Sequence, residues 1–232
     1  KMKRERFFSG RKPILVPGTT FALCGILLIC FPKVRRNGYQ SMNISNFSFK
    51  PLSPKTWNDF TELFGEKGAW GGCWCMWWKQ TQKEFDEKKG VKNKQLIKEE
   101  IDLGKCPGIL AYSEGQPVGW CAVEPRENYP RLSRSRVLKQ VDDKRVWSIS
   151  CFYVLKEFRN NGITEQLIEA VKDFVMENKG KLIEGYPVEP RTKKVSSTSF
   201  IWTGFATTFR KTGFTECVRR SETRPIMRYN IK

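Results

Sequence analysis

Residues 146–174 read VWSISCFYVLKEFRNNGITEQLIEAVKDF and decide the fold. The segment 146–154 is rich in β-branched and aromatic residues, which is typical of a strand. After a short polar loop, apolar residues recur at the spacing of one helix face: Ile163, Leu167, Ala170, Val171 and Phe174. The stretch therefore predicts a strand, a tight turn and an amphipathic helix.

The turn between these two elements, residues 159–164, reads RNNGIT. The first amides of a helix have no intrahelical acceptor, and the helix dipole is positive at that end. A glycine lets the backbone approach a diphosphate closely, and Arg159 adds positive charge. The pattern indicates a phosphate-binding turn, but an ordinary turn with a surface arginine explains it equally well, since short glycine motifs recur by chance.

The flanking sequence completes a mixed α/β (α+β) pattern from residue 43 onward. Apolar runs on either side of residues 114–116, Glu-Gly-Gln, predict a hairpin. Strands are predicted at 47–49, 108–113, 118–124, 146–154, 182–188, 214–219 and 225–231, and helices at 56–64, 93–103, 163–179 and 200–211. The predicted element order is β α α β β β α β α β β.

The composition excludes several classes of chemistry. The 232 residues include 42 Lys plus Arg, 24 Asp plus Glu and no histidine, for a net charge of +18. Without histidine, Ser-His-Asp and Cys-His nucleophiles, His-ligated zinc and imidazole acid–base catalysis are excluded. The charge suits nucleic acid, anionic lipid or a polyanionic cofactor, but no nucleic-acid-binding signature accompanies it, so we expect no nucleic-acid partner.

Residues 1–41 differ in composition from the rest. They hold nine basic residues against the single acid Glu5, and the stretch 13–32 has no charge. Three interpretations stay open: a marginal membrane anchor, a signal-like core without a cleavage site, or an extension that is not part of the working protein. We favour the third because secondary-structure signals begin only after Met42. The predicted domains are therefore 1–41 and 42–232, with no membrane contact for the second.

The cysteines predict free thiols. Cys121 and Cys151 lie within apolar, strand-like runs, where buried thiols in a reducing compartment are common. Cys73 and Cys75 form the only close pair in the sequence, without a second pair or a histidine to complete a zinc site. We expect no metal and a cytoplasmic location.

The segment and the element order together resemble the GNAT superfamily of N-acetyltransferases, in particular bacterial members of unassigned substrate. The family signature is Arg/Gln-x-x-Gly-x-Gly/Ala between the fourth strand and the following helix. Arg159 and Gly162 match it, and Thr164 stands at the last position in place of Gly or Ala. Further similar stretches are GGCWCMWW (71–78), PVGWCAVEPRENYPRLSRSRVL (117–138), EGYPV (184–188) and RPIMRY (224–229). The resemblance covers roughly residues 44–230.

The resemblance implies an acetyl-CoA site and direct transfer of the acetyl group to a primary amine, with no covalent enzyme intermediate. Backbone amides after Arg159 would hold the pyrophosphate, and the exposed fourth strand would pair with the pantetheine. The residues so implied are Phe152, Tyr153, Val154, Arg159, Asn160, Asn161, Gly162, Ile163 and Thr164. A backbone N–H of the same strand would polarise the thioester carbonyl.

Two departures from the family concern proton transfer. Phe209 stands where many members carry a tyrosine that protonates the departing thiolate, and Ser148 stands where some carry a glutamate. Glu184 and Tyr186 share one face of the predicted fifth strand and are candidate base and acid, with Glu124 as a second carboxylate. A salt bridge for Glu184 and core packing for Tyr186 are the alternatives.

A tryptophan-rich loop, 68–79, is expected to border the acceptor groove. Trp74, Trp77 and Trp78 are candidate substrate-binding residues that could receive an ammonium or an aromatic acceptor. The alternative is that some of these rings fill the core. Basic residues at 126, 131, 134 and 136 either bind an acidic acceptor or form a solvated face.

The leading prediction is an acetyl-CoA-dependent N-acetyltransferase that acts on a small-molecule or protein amine, as a monomer or homodimer. The competing prediction is a non-catalytic module that binds acetyl-CoA as a sensor or scaffold, which the departures at Phe209 and Ser148 favour.

Overall fold

A computed structural model describes residues 47–190 and 198–232, so the expectations for residues 1–41 lie outside the described part. The strands are β1 (Phe47–Pro51), β2 (Gly108–Ser113), β3 (Gln116–Pro125), β4 (Trp147–Val154), β5 (Leu182–Gly185), β6 (Thr215–Arg219) and β7 (Pro225–Asn230). The helices are α1 (Trp57–Phe64), α2 (Gln82–Lys88), α3 (Val91–Asp102), α4 (Pro130–Arg134), α5 (Ile163–Glu177) and α6 (Ala206–Lys211).

The strands form one sheet in the order β1-β2-β3-β4-β5-β7-β6. All neighbours are antiparallel except β4 and β5, which are parallel. The predicted fold class, a mixed and mostly antiparallel sheet flanked by helices, is confirmed. Because β4 and β5 run in the same direction, their carboxyl ends lie at the same edge of the sheet.

The parallel pairing is short. β4 pairs with β5 only through Trp147–Ile183, Ser148–Glu184 and Ile149–Gly185. Opposite β3, the register of β4 shifts at Ser150, where a bulge separates the pairs formed by Ile149 and Cys151. β4 then continues to Val154 without β5 beside it, so the sheet opens at this point.

Helices cover both faces of the sheet. On one face, α5 buries Leu167 and Val171 in a cluster that includes Phe209 of α6. On the other face, α1 and α3 pack Phe60 and Ile97 against Trp120 of β3 and its neighbours. The amphipathic pattern of 163–174 therefore predicts the buried face of α5 correctly.

Three predicted elements have different boundaries in the structure, and two helices were not predicted. Strand 182–188 ends at Gly185, where the ring of Phe209 packs so closely that an added Cβ would lie 2.1 Å from its Cε1. Helix 200–211 is divided at Gly204 (φ 80°) into a 3₁₀ turn and α6. Helix 93–103 is α3, which starts at Val91. The two helices that were not predicted are α2, which precedes α3, and α4, which lies between β3 and β4.

Candidate functional site

The part of β4 beyond the parallel pairing carries the residues predicted to contact a pantetheine chain. Phe152 and Val154 point into the core on the α5 side, whereas Tyr153 is half-buried on the opposite side, against Phe64. Arg159 folds back onto this strand, and its Nε donates a 2.9 Å hydrogen bond to the Val154 carbonyl. The arginine therefore ties the end of β4 to the turn that follows.

The turn 159–164 presents backbone to solvent. Arg159, Asn160 and Gly162 are exposed, Asn161 and Thr164 are half-buried, and the Ile163 side chain anchors the start of α5 in the core. Asn160 (φ 63°) and Gly162 (φ 74°) both adopt left-handed conformations. Gly162 precedes the first residue of α5, and an added Cβ there would meet no atom within 4 Å. The approach to the first amides of α5 is therefore open.

A polar row crosses four strands of the sheet. Glu124 of β3 lies opposite Ser148 of β4, Ser148 lies opposite Glu184 of β5, and Glu184 lies opposite Arg228 of β7. Directly opposed residues project from the same face of a sheet. This face lies next to the opening between β4 and β5, and all four residues are buried.

Glu184 and Tyr186 lie together, as predicted, although β5 ends between them. The Tyr186 hydroxyl donates to Glu184 Oε1 at 2.7 Å, and it lies 2.8 Å from the Ser148 hydroxyl. Arg126 Nη1 donates to Tyr186 (2.5 Å) and Glu184 (3.1 Å), and Arg228 Nε donates to Glu184 Oε2 at 2.7 Å. Burial, and then the Glu184 charge, raise the pKa of Tyr186 well above its usual range. These fully engaged partners favour a structural role for both residues.

Glu124 is differently placed. Its Oε1 accepts a 2.9 Å hydrogen bond from Asn128, and its Oε2 forms an ion pair with Lys79, whose ammonium also contacts Glu100 of α3 at 2.5 Å. Burial raises the pKa of Glu124 above its usual range, although Lys79 opposes this shift. Burial alone would lower the pKa of Lys79, but Glu124 and Glu100 together raise it. One ammonium thus serves two carboxylates.

Of the three tryptophans predicted to bind the acceptor, two are buried in the core and one reaches the surface. Trp74 is buried against Phe60 and Phe64, which corresponds to the core alternative. Trp78 is also buried, and its Nε1 donates to the carbonyl of Ser150 at 2.9 Å, at the bulge of β4. Trp77 is half-buried and stacks against the guanidinium of Arg131, 3.8 Å from the ring centroid. Trp77 is the member of the three with surface to offer an acceptor.

The basic stretch is divided between core and surface. Arg126 is buried in the Glu184 network, and Arg131 covers Trp77 while its Nε donates to the Gln80 carbonyl at 2.9 Å. Arg134 and Arg136 are exposed. Only the last two fit the solvated face that was one of the two predictions.

The thiols that the structure describes are all free. Cys75 is buried, accepts a 3.0 Å hydrogen bond from Trp120 Nε1, and lies beside Cys151 of β4. Within residues 47–190 and 198–232, no cluster of acidic or cysteine side chains has the geometry to hold a metal ion. None of the helices in that part combines the length and apolar character needed to span a bilayer.

Comparison with protein families assigns this arrangement. Residues 72–186, about half of the chain, match the model described as the acetyltransferase (GNAT) family. This domain belongs to the GNAT acetyltransferase family. It is thus an acetyltransferase domain, and acetyl-CoA is the donor that the family uses. The match includes β3, β4, the turn 159–164 and α5.

Two solved acetyltransferase structures illustrate the level of similarity that was found. A GNAT-family acetyltransferase from Listeria monocytogenes is 13% identical over 79% of this chain and 94% of its own, with a TM-score of 0.49. PaiA N-acetyltransferase from Thermoplasma acidophilum, in complex with coenzyme A, is 13% identical over 80% and 99%, with a TM-score of 0.45. Similarities this low do not bear on the substrate of this domain. Comparison with curated proteins gives no match.

Several residues of the site escaped the sequence analysis. Lys79 stands directly after the tryptophan pair, and its burial between two carboxylates depends on α3, which is distant in sequence. Tyr129 is fully buried beside the site, between a 3₁₀ turn and α4. Arg228 and Asp142 join the Glu184 network from separate parts of the chain. Tyr129 and Arg228 lie in the similar stretches 117–138 and 224–229, and Lys79 ends the tryptophan-rich loop 68–79, but no sequence signal marked Asp142.

Proposed function

We propose that the GNAT domain binds acetyl-CoA between the free part of β4 and the turn 159–164, and transfers its acetyl group directly to a primary amine. The observation that carries this proposal is the separation of β4 from β5 after Ile149 and Gly185. It leaves five residues of β4 without β5 beside them, and a short 3₁₀ turn then leads to the open turn at Gly162. A thioester chain can enter such an opening from the turn and end near the bulge at Ser150.

Backbone amides and one arginine would supply the contacts to acetyl-CoA. Amides of residues 160–164 would receive the pyrophosphate oxygens, because they stand at the positive end of α5. Arg159 would add a charged contact through the guanidinium N–H groups that its bond to Val154 leaves unused. Backbone of Phe152–Val154 would pair with the pantetheine amides, and a β4 amide would polarise the thioester carbonyl.

Proton transfer falls to a carboxylate on the polar row. The amine must attack the carbonyl carbon as a neutral nucleophile and lose a proton as the C–S bond breaks. Glu124 is the candidate base that we favour, because burial raises its pKa and the cation that pairs with it, Lys79, is shared with Glu100. Glu184 and Tyr186 remain candidates from the sequence, but their oxygens already bind Arg126, Arg228 and each other.

The acceptor would approach from the face that carries Trp77, and would be the primary amine of a small molecule or a protein. We retain the cytoplasm as the expected compartment, where acetyl-CoA is available. The domain would act as a monomer or homodimer, without a nucleic-acid or membrane partner. The competing hypothesis is a module that binds acetyl-CoA without turnover; it is favoured by Phe209, a buried ring without a hydroxyl between Phe152 and Phe214.

Two measurements test the proposal in sequence. Acetyl-CoA at about 100 times its dissociation constant should stabilise the protein by about 2.7 kcal/mol, which a thermal-shift assay detects. Release of free thiol from acetyl-CoA, measured with a panel of primary amines, should then depend on the amine. The absence of any shift with acetyl-CoA would refute the proposal, whereas a shift without thiol release from any amine would support the binding module.

A further inference from the structure

Buried polar atoms without a hydrogen-bond partner collect in one part of the site. In the described residues, all such side-chain atoms belong to residue 80 or to the segment 124–131: Gln80 Oε1, Glu124 Oε2, Arg126 Nε, Tyr129 Oη and Arg131 Nη2. Buried polar groups are normally satisfied, so unsatisfied ones in a native structure call for an explanation. Glu124 Oε2 at least has the Lys79 ion pair, whereas Tyr129 Oη has no such partner.

Tyr129 is held in place by its surroundings. It follows the 3₁₀ turn Arg126–Asn128, and its backbone N–H donates to the Arg126 carbonyl at 2.9 Å. The ring is 1% exposed in a cluster with Trp78 and Leu132, and the Lys79 ammonium lies 6.0 Å from its centroid. Packing therefore holds the ring in place, whereas its hydroxyl has no hydrogen-bond partner among the described residues.

Tyr129 packs in one cluster with Trp78, whose Nε1 donates to the Ser150 carbonyl at the bulge of β4. Burial, and then the Glu124 charge, raise the pKa of Tyr129 well above its usual range, while the nearby Ser150 side chain lowers it. Ser150 is the bulge residue, and its carbonyl is occupied by Trp78. The raised pKa keeps this hydroxyl protonated near neutral pH, in the neighbourhood of Glu124 and Ser150.

Two other fully buried tyrosines near the sheet already use their hydroxyls. The Tyr186 hydroxyl already donates to Glu184 and accepts from Arg126. The Tyr112 hydroxyl donates to Asp59 of α1 at 2.7 Å. Phe209 has no proton to give. Tyr129 combines an unengaged hydroxyl with a neighbouring carboxylate that can return its proton.

We infer that Tyr129 is a catalytic residue, whose hydroxyl protonates the coenzyme A thiolate as it leaves. This inference rests on the proposed function. The amine nitrogen bonds to the acetyl carbon, the C–S bond breaks, and the sulfur takes the Tyr129 proton. The proton lost by the amine passes to Glu124 and from there to the phenolate. The products are an amide and coenzyme A thiol, and the protein returns to its starting protonation state.

The test compares Tyr129→Phe with Tyr112→Phe and Glu124→Gln. We expect Tyr129→Phe to lower kcat by about 100-fold, the scale of general acid–base catalysis, with the acetyl-CoA dissociation constant and KM for the amine unchanged. Because the hydroxyl has no partner, its removal should not lower Tm. Tyr112→Phe removes a hydroxyl outside the site and should keep kcat within about twofold of the parent.

The double variant Tyr129→Phe/Glu124→Gln separates a shared proton path from two independent effects. If both residues act on one path, the double variant should be no slower than the slower single variant. A kcat within threefold of the parent for Tyr129→Phe, or fully additive losses, would overturn the inference. A parent protein that binds acetyl-CoA but acetylates no amine would instead overturn the proposed function. If Tyr129→Phe loses Tm together with activity, Tyr129 is structural and the inference fails.

Discussion

Neutralising Glu184 should destabilise the fold far more than any exposed carboxylate does. The carboxylate is 1% exposed and accepts from Arg126, Tyr186 and Arg228. Glu184→Gln keeps the shape but leaves the Arg126 guanidinium buried with the Leu138 carbonyl and a neutral phenol, while Arg228 retains Asp142. Loss of one partner of a buried ion pair typically costs about 3–5 kcal/mol. Since domains are stable by only about 5–15 kcal/mol, this is a large fraction of the total.

Urea unfolding followed by tryptophan fluorescence measures this loss as a lower midpoint at constant slope. The matched control is Glu165→Gln, which removes a carboxylate that pairs with Lys211 on the surface and should cost less than about 1 kcal/mol. A loss below 1 kcal/mol for Glu184→Gln would refute the structural interpretation. A loss of turnover at full stability would support the catalytic role predicted from the sequence.

Three further substitutions test the turn at Gly162, the packing of Gly185 against Phe209, and the surface ion pair between Arg219 and Glu216. Gly162→Val should weaken acetyl-CoA binding about tenfold or more in a titration, because the added side chain stands in the cofactor's path. The control Gly115→Val imposes the same left-handed strain (φ 83°) at a position away from the proposed site, and it should leave the affinity for acetyl-CoA unchanged. Gly185→Ala should lower the free energy of unfolding by about 1–3 kcal/mol in urea, because its Cβ meets a buried ring. Arg219 holds the pKa of Glu216 below its usual range, so this stabilisation is present near neutral pH and lost as pH falls below about 4.5; Arg219→Gln should flatten the acid limb of a stability–pH curve.

Each of these changes has a contrary outcome. Equal losses of affinity for the two valine variants would place the cofactor away from the turn. An unchanged midpoint for Gly185→Ala would show that the neighbouring ring can move aside. A parallel acid limb for Arg219→Gln would mean that the ion pair does not persist in solution.

The sequence predicts the fold well where one segment determines its own structure. The strand at 146–154 follows from its β-branched and aromatic residues, and helix α5 follows from the spacing of its apolar residues, which form its buried face. The end of β5 could not be predicted, since it depends on Phe209, a residue 24 positions away that occupies the space beside Gly185. The division at Gly204 was missed, although a glycine inside a predicted helix is itself a sign of a possible break.

The candidate site shows the same division. The turn 159–164 is a local feature, and its exposed backbone was predicted from the glycine and its neighbours. The partners of Glu184 were not predictable, because Arg126, Asp142 and Arg228 come from three segments that meet only in the folded sheet. The alternation of residues along β5 shows which side chains share a face, but it does not show which residues of other segments are buried against them.

The arginines around β5 also affect the long connection between β3 and β4. Arg126 Nη2 binds the Leu138 carbonyl at 2.8 Å, Arg228 holds Asp142, and Arg220 donates to the carbonyls of Lys139 and Gln140. An irregular segment fastened in this way cannot open by itself, because its release exposes charges in the middle of the sheet. Its amides should exchange hydrogen with solvent together with those of β5 and β7, as one cooperative unit of the domain.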